Sequence, residues 1–285
     1  MLTSIYQWME DTQTDLIYLE HPETIAYLTG IHCQPHERFF ALFIPKQGTP
    51  VLALPALDLG EAKQQNWTGI LVPYQDHENP WDEIHQHLLI KKQTPIQIAI
   101  EKNLLSVASY DHIQQHFHIK TTQDITPFIE HIKVIKHPEE IKWMKEAGQW
   151  ADLAIEIGCA TLKEGISEQE VVAEIEYQLK KRGVKSMSFS TMVLFGDHAA
   201  NPHGKPSSRT LKKGELVLFD LGVIWHGYCS DITRTVAFYP PSEHQQQIYH
   251  IVQKAQQAAQ DAVRPGIKAC ELDKIARDII TEAGY

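Results

Sequence analysis

Two aspartates stand in positions where a β-strand favours apolar side chains. Residues 214–238 contain two apolar, β-rich segments, 216–223 and 228–238, and each carries one aspartate, Asp220 or Asp231. Aspartate is depleted in strands because its short polar side chain gains little by packing on a pleated surface. A Trp-His-Gly corner joins the two segments, which predicts a hairpin. Asp220 and Asp231 are therefore candidates for chemistry rather than for packing.

The turn of this hairpin decides whether the two carboxylates meet. A two-residue loop of Trp225 and His226 would place Asp220 directly opposite Asp231 on one face, with Cβ atoms about 4.5–5.5 Å apart. Two like charges this close repel unless one is protonated or a cation lies between them. A hard divalent metal ion is the simplest such cation. The alternative is a longer corner, which shifts the register and leaves one or both aspartates facing water.

A loop with a histidine near its tip precedes the hairpin. Residues 201–207 read Asn-Pro-His-Gly-Lys-Pro-Ser, and the two prolines restrict the backbone while the glycine allows a turn. A histidine beside a metal-carboxylate site can donate a hydrogen bond to a substrate carbonyl or carry a proton. His203 is therefore a candidate catalytic residue, although the loop taken alone fits an ordinary surface histidine equally well.

The composition excludes several classes of protein. A length of 285 residues is enough for two domains, and an apolar content of 43% is ordinary for a globular protein. The formal net charge of −10 argues against nucleic-acid binding, which needs a clustered basic face. The four cysteines form no metal-binding or disulfide pattern. Because no apolar run approaches the roughly 18–20 residues of a membrane span and no signal peptide is apparent, we expect a cytoplasmic protein without a membrane partner.

The pattern of elements changes once along the chain. Residues 1–125 alternate short apolar runs with helical patterns, which is typical of an α/β layer domain. Residues 130–285 place long amphipathic helices before and after the hairpin, which indicates an α+β domain. We therefore expect one domain at 1–125 and a second, which would carry the chemistry, at 130–285.

The second domain contains an internal repeat. Gly165 and Gly183 bracket one helical segment, and Gly266 and Gly284 bracket another with the same spacing. An isoleucine follows the first glycine of each pair, and a longer helix precedes it. A match in element type, order and spacing predicts a duplicated unit, whereas the alternative is two unrelated helical hairpins.

The repeat has a consequence for the end of the chain. The first copy continues after Gly183 into the strands that carry the aspartates, whereas Tyr285 directly follows the matching Gly284. A half-built sheet leaves open edges and an uncovered face. We therefore expect a missing C-terminal segment that would supply a second set of strands and further metal ligands.

Several segments resemble one enzyme family. Residues 201–222, NPHGKPSSRTLKKGELVLFDLG, followed by 227–239, GYCSDITRTVAFY, resemble the signature region of the pita-bread metallopeptidases. The similarity is to the branch of Xaa-Pro dipeptidases (prolidases) and aminopeptidase P. Residues 23–32, ETIAYLTGIH, and 37–45, ERFFALFIP, are similar to the creatinase/prolidase N-terminal domain, and 131–148 resemble the entry to the catalytic domain. The resemblance covers nearly the whole chain in the correct order.

This resemblance implies a site and a reaction. Asp220 and Asp231 would be ligands of a centre of two divalent metal ions, manganese in the first place and cobalt or zinc otherwise. His203 would contact the substrate near the scissile bond, the substrates would be small proline-containing peptides, and the protein would be a homodimer. The family's other ligands, a histidine in a His-Gly-x-Gly-His-like segment and two later glutamates, would follow a segment like 283–285.

Three functions are compatible with these residues. The first is a metallopeptidase, either a proline dipeptidase or an Xaa-Pro aminopeptidase, with a pita-bread domain of pseudo-duplicated helix-helix-strand units that is incomplete at its C-terminus and inactive in this 285-residue form. The second is a creatinase-like hydrolase, which Asp220 and Asp231 disfavour because that branch of the family does without metals. The third is a non-catalytic binding or dimerisation protein of the same fold.

Overall fold

A computed structural model describes residues 2–88, 90 and 93–285 of the chain. Contacts between Cα atoms divide the chain into two units, Met1–Lys136 and His137–Tyr285. No helix in the described residues is long and apolar enough to cross a membrane.

The first unit is built on a six-stranded mixed sheet. Its strands lie in the order β4-β3-β2-β1-β5-β6, and β1, β5 and β6 run parallel to one another. The bounds are β1 Leu16–Leu19, β2 Ala41–Pro45, β3 Val51–Pro55, β4 Ile70–Tyr74, β5 Ile96–Ile100 and β6 Ile119–Asp124. The sequences of β1, β2 and β3 are almost continuously apolar, and all their residues are buried because both faces of the sheet are covered.

Helices of the first unit cover this sheet. They are α1 Leu2–Thr12, α2 Pro22–Thr29, α3 Leu59–Ala62, α4 Trp81–Leu88, α5 Val107–His116 and α6 Thr126–Val134. Alternate residues of β1 enter two separate apolar clusters, with Ile17 and Leu19 in one and Leu16 and Tyr18 in the other. The α/β interpretation of this part of the chain is confirmed.

The second unit combines four helices with two small sheets. Its helices are α7 Pro138–Thr161, α8 Glu168–Lys181, α9 Glu243–Asp261 and α10 Ala269–Glu282. Its strands are β7 Ser186–Met187, β8 Met192–Phe195, β9 Leu216–Leu221, β10 Val223–Trp225, β11 Tyr228–Cys229 and β12 Ile232–Ala237. They form the sheets β11-β10-β7 and β12-β9-β8.

Strand β9 separates the core of this unit from an open face. Val217, Phe219 and Leu221 are fully buried in the cluster formed with α7 and α8. The alternate residues of β9, which include Asp220, are only partly buried. Gly158 of α7 permits the close approach, since a Cβ atom there would lie 2.5 Å from the Phe219 ring. Asp220 therefore lies on the face of β9 that is opposite to the packed core.

The predicted duplication is confirmed in the backbone. Gly165 and Gly266 both adopt positive φ, +83° and +86°, before the second helix of each pair. Gly183 and Gly284 end those helices with φ of +99° and +88°. The left-handed region is one that glycine enters without steric cost. The pseudo-duplicated unit is therefore a helix pair with the same start and stop signals in both copies.

Candidate active site

The turn of the hairpin is one residue away from its predicted position. Trp225 pairs with Tyr228, so the two-residue loop is His226–Gly227 rather than Trp225–His226. Both loop residues have positive φ, 50° and 83°, as a type I′ turn requires. Glycine takes this conformation easily, whereas a tryptophan in the loop would be strained, and this explains the position of the turn.

This turn changes the partner of Asp220. Asp220 of β9 lies opposite Thr233 of β12, and Leu221 lies opposite Ile232. The prediction that Asp220 directly faces Asp231 was therefore wrong, because a one-residue shift of the turn moves the facing residue by two positions. The hairpin itself and its two arms are confirmed.

Alternation along the second arm of the hairpin would nevertheless place both carboxylates on one side. Asp231 precedes Thr233 by two residues, and side chains two apart along an extended segment point to the same face. Asp231 lies directly before the first paired residue of β12, Ile232, and in a regular ladder its position would be the diagonal neighbour of Asp220, roughly 7–8 Å away. Asp231 is exposed, Asp220 is partly exposed, and Thr233 Oγ1 donates a 2.9 Å hydrogen bond to Asp220 Oδ1.

A glycine sets the backbone beside Asp231. Gly222 lies between β9 and β10, and a Cβ atom there would be 1.8 Å from the carbonyl oxygen of Ser230. The same carbonyl accepts a 2.8 Å hydrogen bond from Ser188 Oγ, and the Ser230 amide donates to the carbonyl of Val223 at 2.9 Å. In the Asp-Leu-Gly sequence of the first arm, Asp220 is therefore one candidate ligand. Gly222 leaves space for the backbone next to the other candidate, Asp231.

A buried glutamate that the sequence did not single out organises the histidine loop. Glu168 is the first residue of α8 and is fully buried. Its carboxylate accepts hydrogen bonds from the Phe195 amide at 2.8 Å, from His198 Nδ1 at 2.8 Å, and from the amide and Oγ of Ser207 at 2.9 and 2.8 Å. Burial alone would raise the pKa of Glu168, but the hydrogen bonds from His198, Phe195 and Ser207 outweigh it and hold this pKa below its usual value.

Glu168 thereby fixes both ends of the loop that carries His203. Phe195 ends β8 ahead of the loop, with the short helical turn Gly196–Ala200 between them, and Ser207 is the last residue of the loop 201–207. Gly204 is buried, and a Cβ atom on it would lie 2.6 Å from Leu194 Cδ1. His203, by contrast, is exposed. The backbone amide of His203 donates to Asn201 Oδ1 at 3.3 Å. The loop therefore has anchored ends and presents an accessible histidine.

The donor set around the hairpin is limited to carboxylates. Among residues 2–88, 90 and 93–285, no group of three or more His, Cys, Asp or Glu side chains is placed to hold a metal ion. Asp220 and Asp231 are hard oxygen donors, which suits a manganese or magnesium ion in kind. Two carboxylates are fewer than the six or so ligands that such an ion takes, so these residues fit a metal as part of a ligand set.

Comparison with known proteins identifies the class. Residues 1–135 match the profile described as Creatinase/Prolidase N-terminal domain, and residues 142–285 match the profile described as Metallopeptidase family M24. The chain belongs to metallopeptidase family M24, and its second unit has the pita-bread fold. The resemblance found in the sequence is thereby confirmed.

Individual relatives show which members of the family the chain is similar to. The chain is 44% identical over 286 residues to the Xaa-Pro dipeptidase of Lactobacillus helveticus, an alignment that covers 100% of this chain and 78% of the relative. It is 43% identical to the Xaa-Pro dipeptidase of Lactobacillus delbrueckii subsp. lactis, with the same coverage. Among solved structures, the prolidase of Pyrococcus horikoshii superposes with a TM-score of 0.87 at 30% identity, covering 99% of this chain and 78% of that one.

Proposed function

We propose that this chain belongs among the metal-dependent Xaa-Pro dipeptidases, which cleave the bond before proline in small peptides. The observation that carries the proposal is the hairpin, which carries Asp220 in β9 and Asp231 directly before β12, in a chain that is 44% identical to an Xaa-Pro dipeptidase. The same hairpin is compatible with an Xaa-Pro aminopeptidase, and a structure of that kind from Thermotoga maritima is similar at 26% identity. The higher identity to dipeptidases favours the dipeptidase.

Asp220 and Asp231 are the proposed metal ligands. Bound divalent ions, manganese in the first place, would supply an activated water and polarise the carbonyl before proline. Thr233 Oγ1, 2.9 Å from Asp220 Oδ1, restricts the orientation of that carboxylate. Hydrogen bonds of this kind fix a ligand before the metal arrives, and the loss of such a partner weakens metal binding.

His203 is proposed to contact the substrate. Its exposed imidazole can donate a hydrogen bond to the carbonyl of the scissile bond, and the anchoring of its loop by Glu168 reduces the entropy lost when it does so. An Xaa-Pro bond has no N–H, so recognition by this chain has to use the carbonyl and the proline ring rather than an amide donor.

The proposed ligand set leads to a specific expectation for these 285 residues. Because the described residues bring together only two carboxylates, we propose that this polypeptide on its own binds Mn²⁺ weakly and hydrolyses Xaa-Pro peptides slowly or not at all.

Two measurements test the proposal. Protein isolated from its natural source should hydrolyse Leu-Pro in the presence of Mn²⁺ and stop when the metal is chelated. In the 285-residue polypeptide, Asp220→Asn and Asp231→Asn should each abolish the residual Mn²⁺ binding seen by equilibrium dialysis, while Asp261→Asn on the exposed surface of α9 should not. Chelator-resistant hydrolysis, or Mn²⁺ binding that is indifferent to Asp220 and Asp231, would contradict the assignment.

The presence of only two candidate carboxylate ligands among the described residues is also compatible with a second function. A non-catalytic binding or dimerisation protein would retain the fold without a complete metal site. In that case protein from the natural source would bind no stoichiometric Mn²⁺ and cleave no Xaa-Pro peptide. Light scattering would not separate the two functions, since we propose a homodimer under either one, and the Mn²⁺ content and the hydrolysis assay decide between them.

A further inference from the structure

Apolar side chains of β8 and β9 lie beside the proposed metal ligand Asp220. We propose that Met192 of β8 and Leu218 of β9 form the subsite for the side chain of the residue before proline, and that Met192 determines which side chains are preferred there. This inference rests on the proposed function and adds to it a preference for long apolar side chains at that position of the substrate.

The strand register places Met192 directly beside Asp220. In the sheet β12-β9-β8, Asp220 lies opposite Met192 on one side and opposite Thr233 on the other. Residues directly opposite each other in an antiparallel pair point to the same face, with Cβ atoms about 4.5–5.5 Å apart. The side chain before proline starts on the carbon bonded to the scissile carbonyl. A peptide whose carbonyl is held at Asp220 therefore brings this side chain within reach of Met192.

Leu218 extends the apolar surface on the same face. It precedes Asp220 by two residues in β9, so the two side chains point to the same side of the sheet. Met192, Leu218 and Asp220 are all partly exposed, whereas the residues on the opposite face of β9 are fully buried in the core. These apolar side chains are therefore accessible to a ligand.

The two sides of Asp220 differ in polarity. On the β12 side, Thr233 Oγ1 donates to the carboxylate, and Asp231 directly precedes the strand. On the β8 side, the neighbour is the thioether of Met192. Oxygen donors suit a hard divalent ion, and an apolar surface suits an apolar side chain. The β12 side therefore fits the metal, and the β8 side fits the side chain of the substrate.

The loop 201–207 packs beside the same surface. A Cβ atom on Gly204 would lie 2.6 Å from Leu194 Cδ1, and Leu194 lies directly opposite Leu218 in the sheet. His203, the residue proposed to contact the scissile carbonyl, immediately precedes Gly204 and is exposed. The loop that carries this histidine thus contacts the residue next to the proposed subsite, which places the carbonyl contact and the apolar surface at one end of the sheet.

Methionine suits a variable side chain better than it suits the proline ring. Its unbranched chain has several rotatable bonds, fills irregular gaps, and is common at surfaces that accept different ligands. The proline ring has the same shape in every substrate, whereas the residue before it varies. We therefore expect leucine before proline to be favoured over alanine, and a charged residue to be disfavoured because an apolar surface offers its charge no partner.

Steady-state kinetics with Leu-Pro and Ala-Pro test the subsite. Each substitution would be introduced into the natural gene, and the protein isolated from its source would be assayed with Mn²⁺. In kcat/KM we expect the wild-type protein to favour Leu-Pro over Ala-Pro by about tenfold or more. Met192→Ala and Met192→Gln should each lower this ratio at least about fivefold. Met192→Leu should retain most of it, because an apolar side chain of similar volume remains.

A matched control and a binding measurement separate the subsite from effects on folding or chemistry. Leu216, the first residue of β9, is partly buried on the same face but lies further from Asp220 than Leu218 does. Leu216→Ala should therefore leave the Leu-Pro to Ala-Pro ratio unchanged. Isothermal titration calorimetry of the chelated proteins measures binding without turnover. There, Leu-Pro should bind the wild-type protein more tightly than Ala-Pro, and Met192→Ala should reduce that difference.

The outcomes distinguish this inference from the proposed function. Hydrolysis of both peptides by the wild-type protein with an unchanged ratio in Met192→Ala and Met192→Gln would overturn the subsite and leave the dipeptidase assignment intact. An equal loss for both peptides would overturn it as well, because Met192 would then contact the proline ring or support Asp220. Failure of the wild-type protein to cleave any Xaa-Pro peptide would contradict the proposed function and this inference together. If Met192→Ala does not fold, the comparison of Met192→Gln with Met192→Leu decides the question.

Discussion

The two helix pairs of the second unit have the same local design and different burial. In the first pair, Val171, Ile175 and Leu179 of α8 are fully buried. The matching positions of α10, Leu272, Ala276 and Ile280, are only partly buried, and no residue of α10 is fully buried.

The difference lies in what packs against each pair. Strands β8 and β9 bury residues of the first pair in one apolar cluster. The first helix of the second pair, α9, exposes Ile248, Tyr249 and Val252 to solvent, 36%, 43% and 52% respectively. Helix ends therefore follow from local signals such as the positive-φ glycines, whereas burial depends on strands from elsewhere in the chain.

The largest expected effect comes from the position where the two copies differ most in chemistry. Glu168 of α8 is buried with several donors, and its counterpart in α10 is the exposed Ala269. Glu168→Ala should destabilise the protein by about 3–5 kcal/mol, because its donors are left buried and unpaired. Ala269→Glu, the reciprocal change, should alter stability by less than about 0.5 kcal/mol. Urea denaturation checks both, and equal costs would show that the two copies are equivalent.

Truncation of matching apolar side chains gives the next largest difference. Leu179→Ala should cost about 2–5 kcal/mol, because it opens a cavity in a packed cluster. Ile280→Ala should cost about 1 kcal/mol, since the side chain is only partly removed from water. Both variants would be measured by urea denaturation under identical conditions. A cost for Ile280→Ala as large as that for Leu179→Ala would mean that the second pair is covered in solution.

Two glycines of α7 distinguish packing from helix propensity. Gly158→Ala places a methyl group 2.5 Å from the Phe219 ring and should destabilise by about 1–3 kcal/mol. Gly148→Ala meets no atom within 4 Å and should stabilise by about 0.5–1 kcal/mol, because alanine favours the helix. Thermal unfolding measures the two shifts. If both variants gain stability, the contact between α7 and β9 is looser than described.

The smallest effect is a dependence on pH that comes from the buried Glu168 of the first copy. The pKa of Glu168 is lower in the folded protein than in the unfolded chain. Its contribution is therefore fully present above the unfolded pKa of about 4.3, and it is lost as the pH falls through the lower folded pKa. Glu168→Gln should flatten the loss of stability below about pH 4.3. Urea denaturation between neutral and acidic pH measures this, with Glu271→Gln in α10 as the control. A wild-type slope in the Glu168→Gln variant would assign the acid sensitivity to other carboxylates.

The sequence predicts features that depend on neighbouring residues. Gly165, Gly183, Gly266 and Gly284 were recognised because a glycine at a helix end has a local reason to be there, the left-handed backbone. The hairpin was predicted for a similar reason. Its turn was misplaced because Gly227 was taken as a strand neighbour rather than as a loop residue, and that misplacement gave Asp220 the wrong partner.

Long-range contacts were not predictable in the same way. Glu170, two residues after Glu168, has a local role in the capping box with Ser167. The role of Glu168 depends on Phe195, His198 and Ser207, which are distant in sequence and carry no mark of their common partner. Glu101 is similar, because its burial follows from the strand order of the sheet. Charged residues that no local rule explains are therefore the positions at which the structure adds most.

The exposed hairpin tip has a consequence for chain length. Trp143 of α7 stacks on His226, with ring centroids 5.4 Å apart, and contacts Tyr228, with ring centroids 5.6 Å apart. The tip of the hairpin therefore packs against α7. Insertion of one residue between His226 and Gly227 would turn Asp231 to the opposite face from Asp220, since side chains alternate along a strand. Insertion scanning would therefore find a short intolerant interval at a surface loop, where the length of the loop is under constraint as well as the identity of its residues.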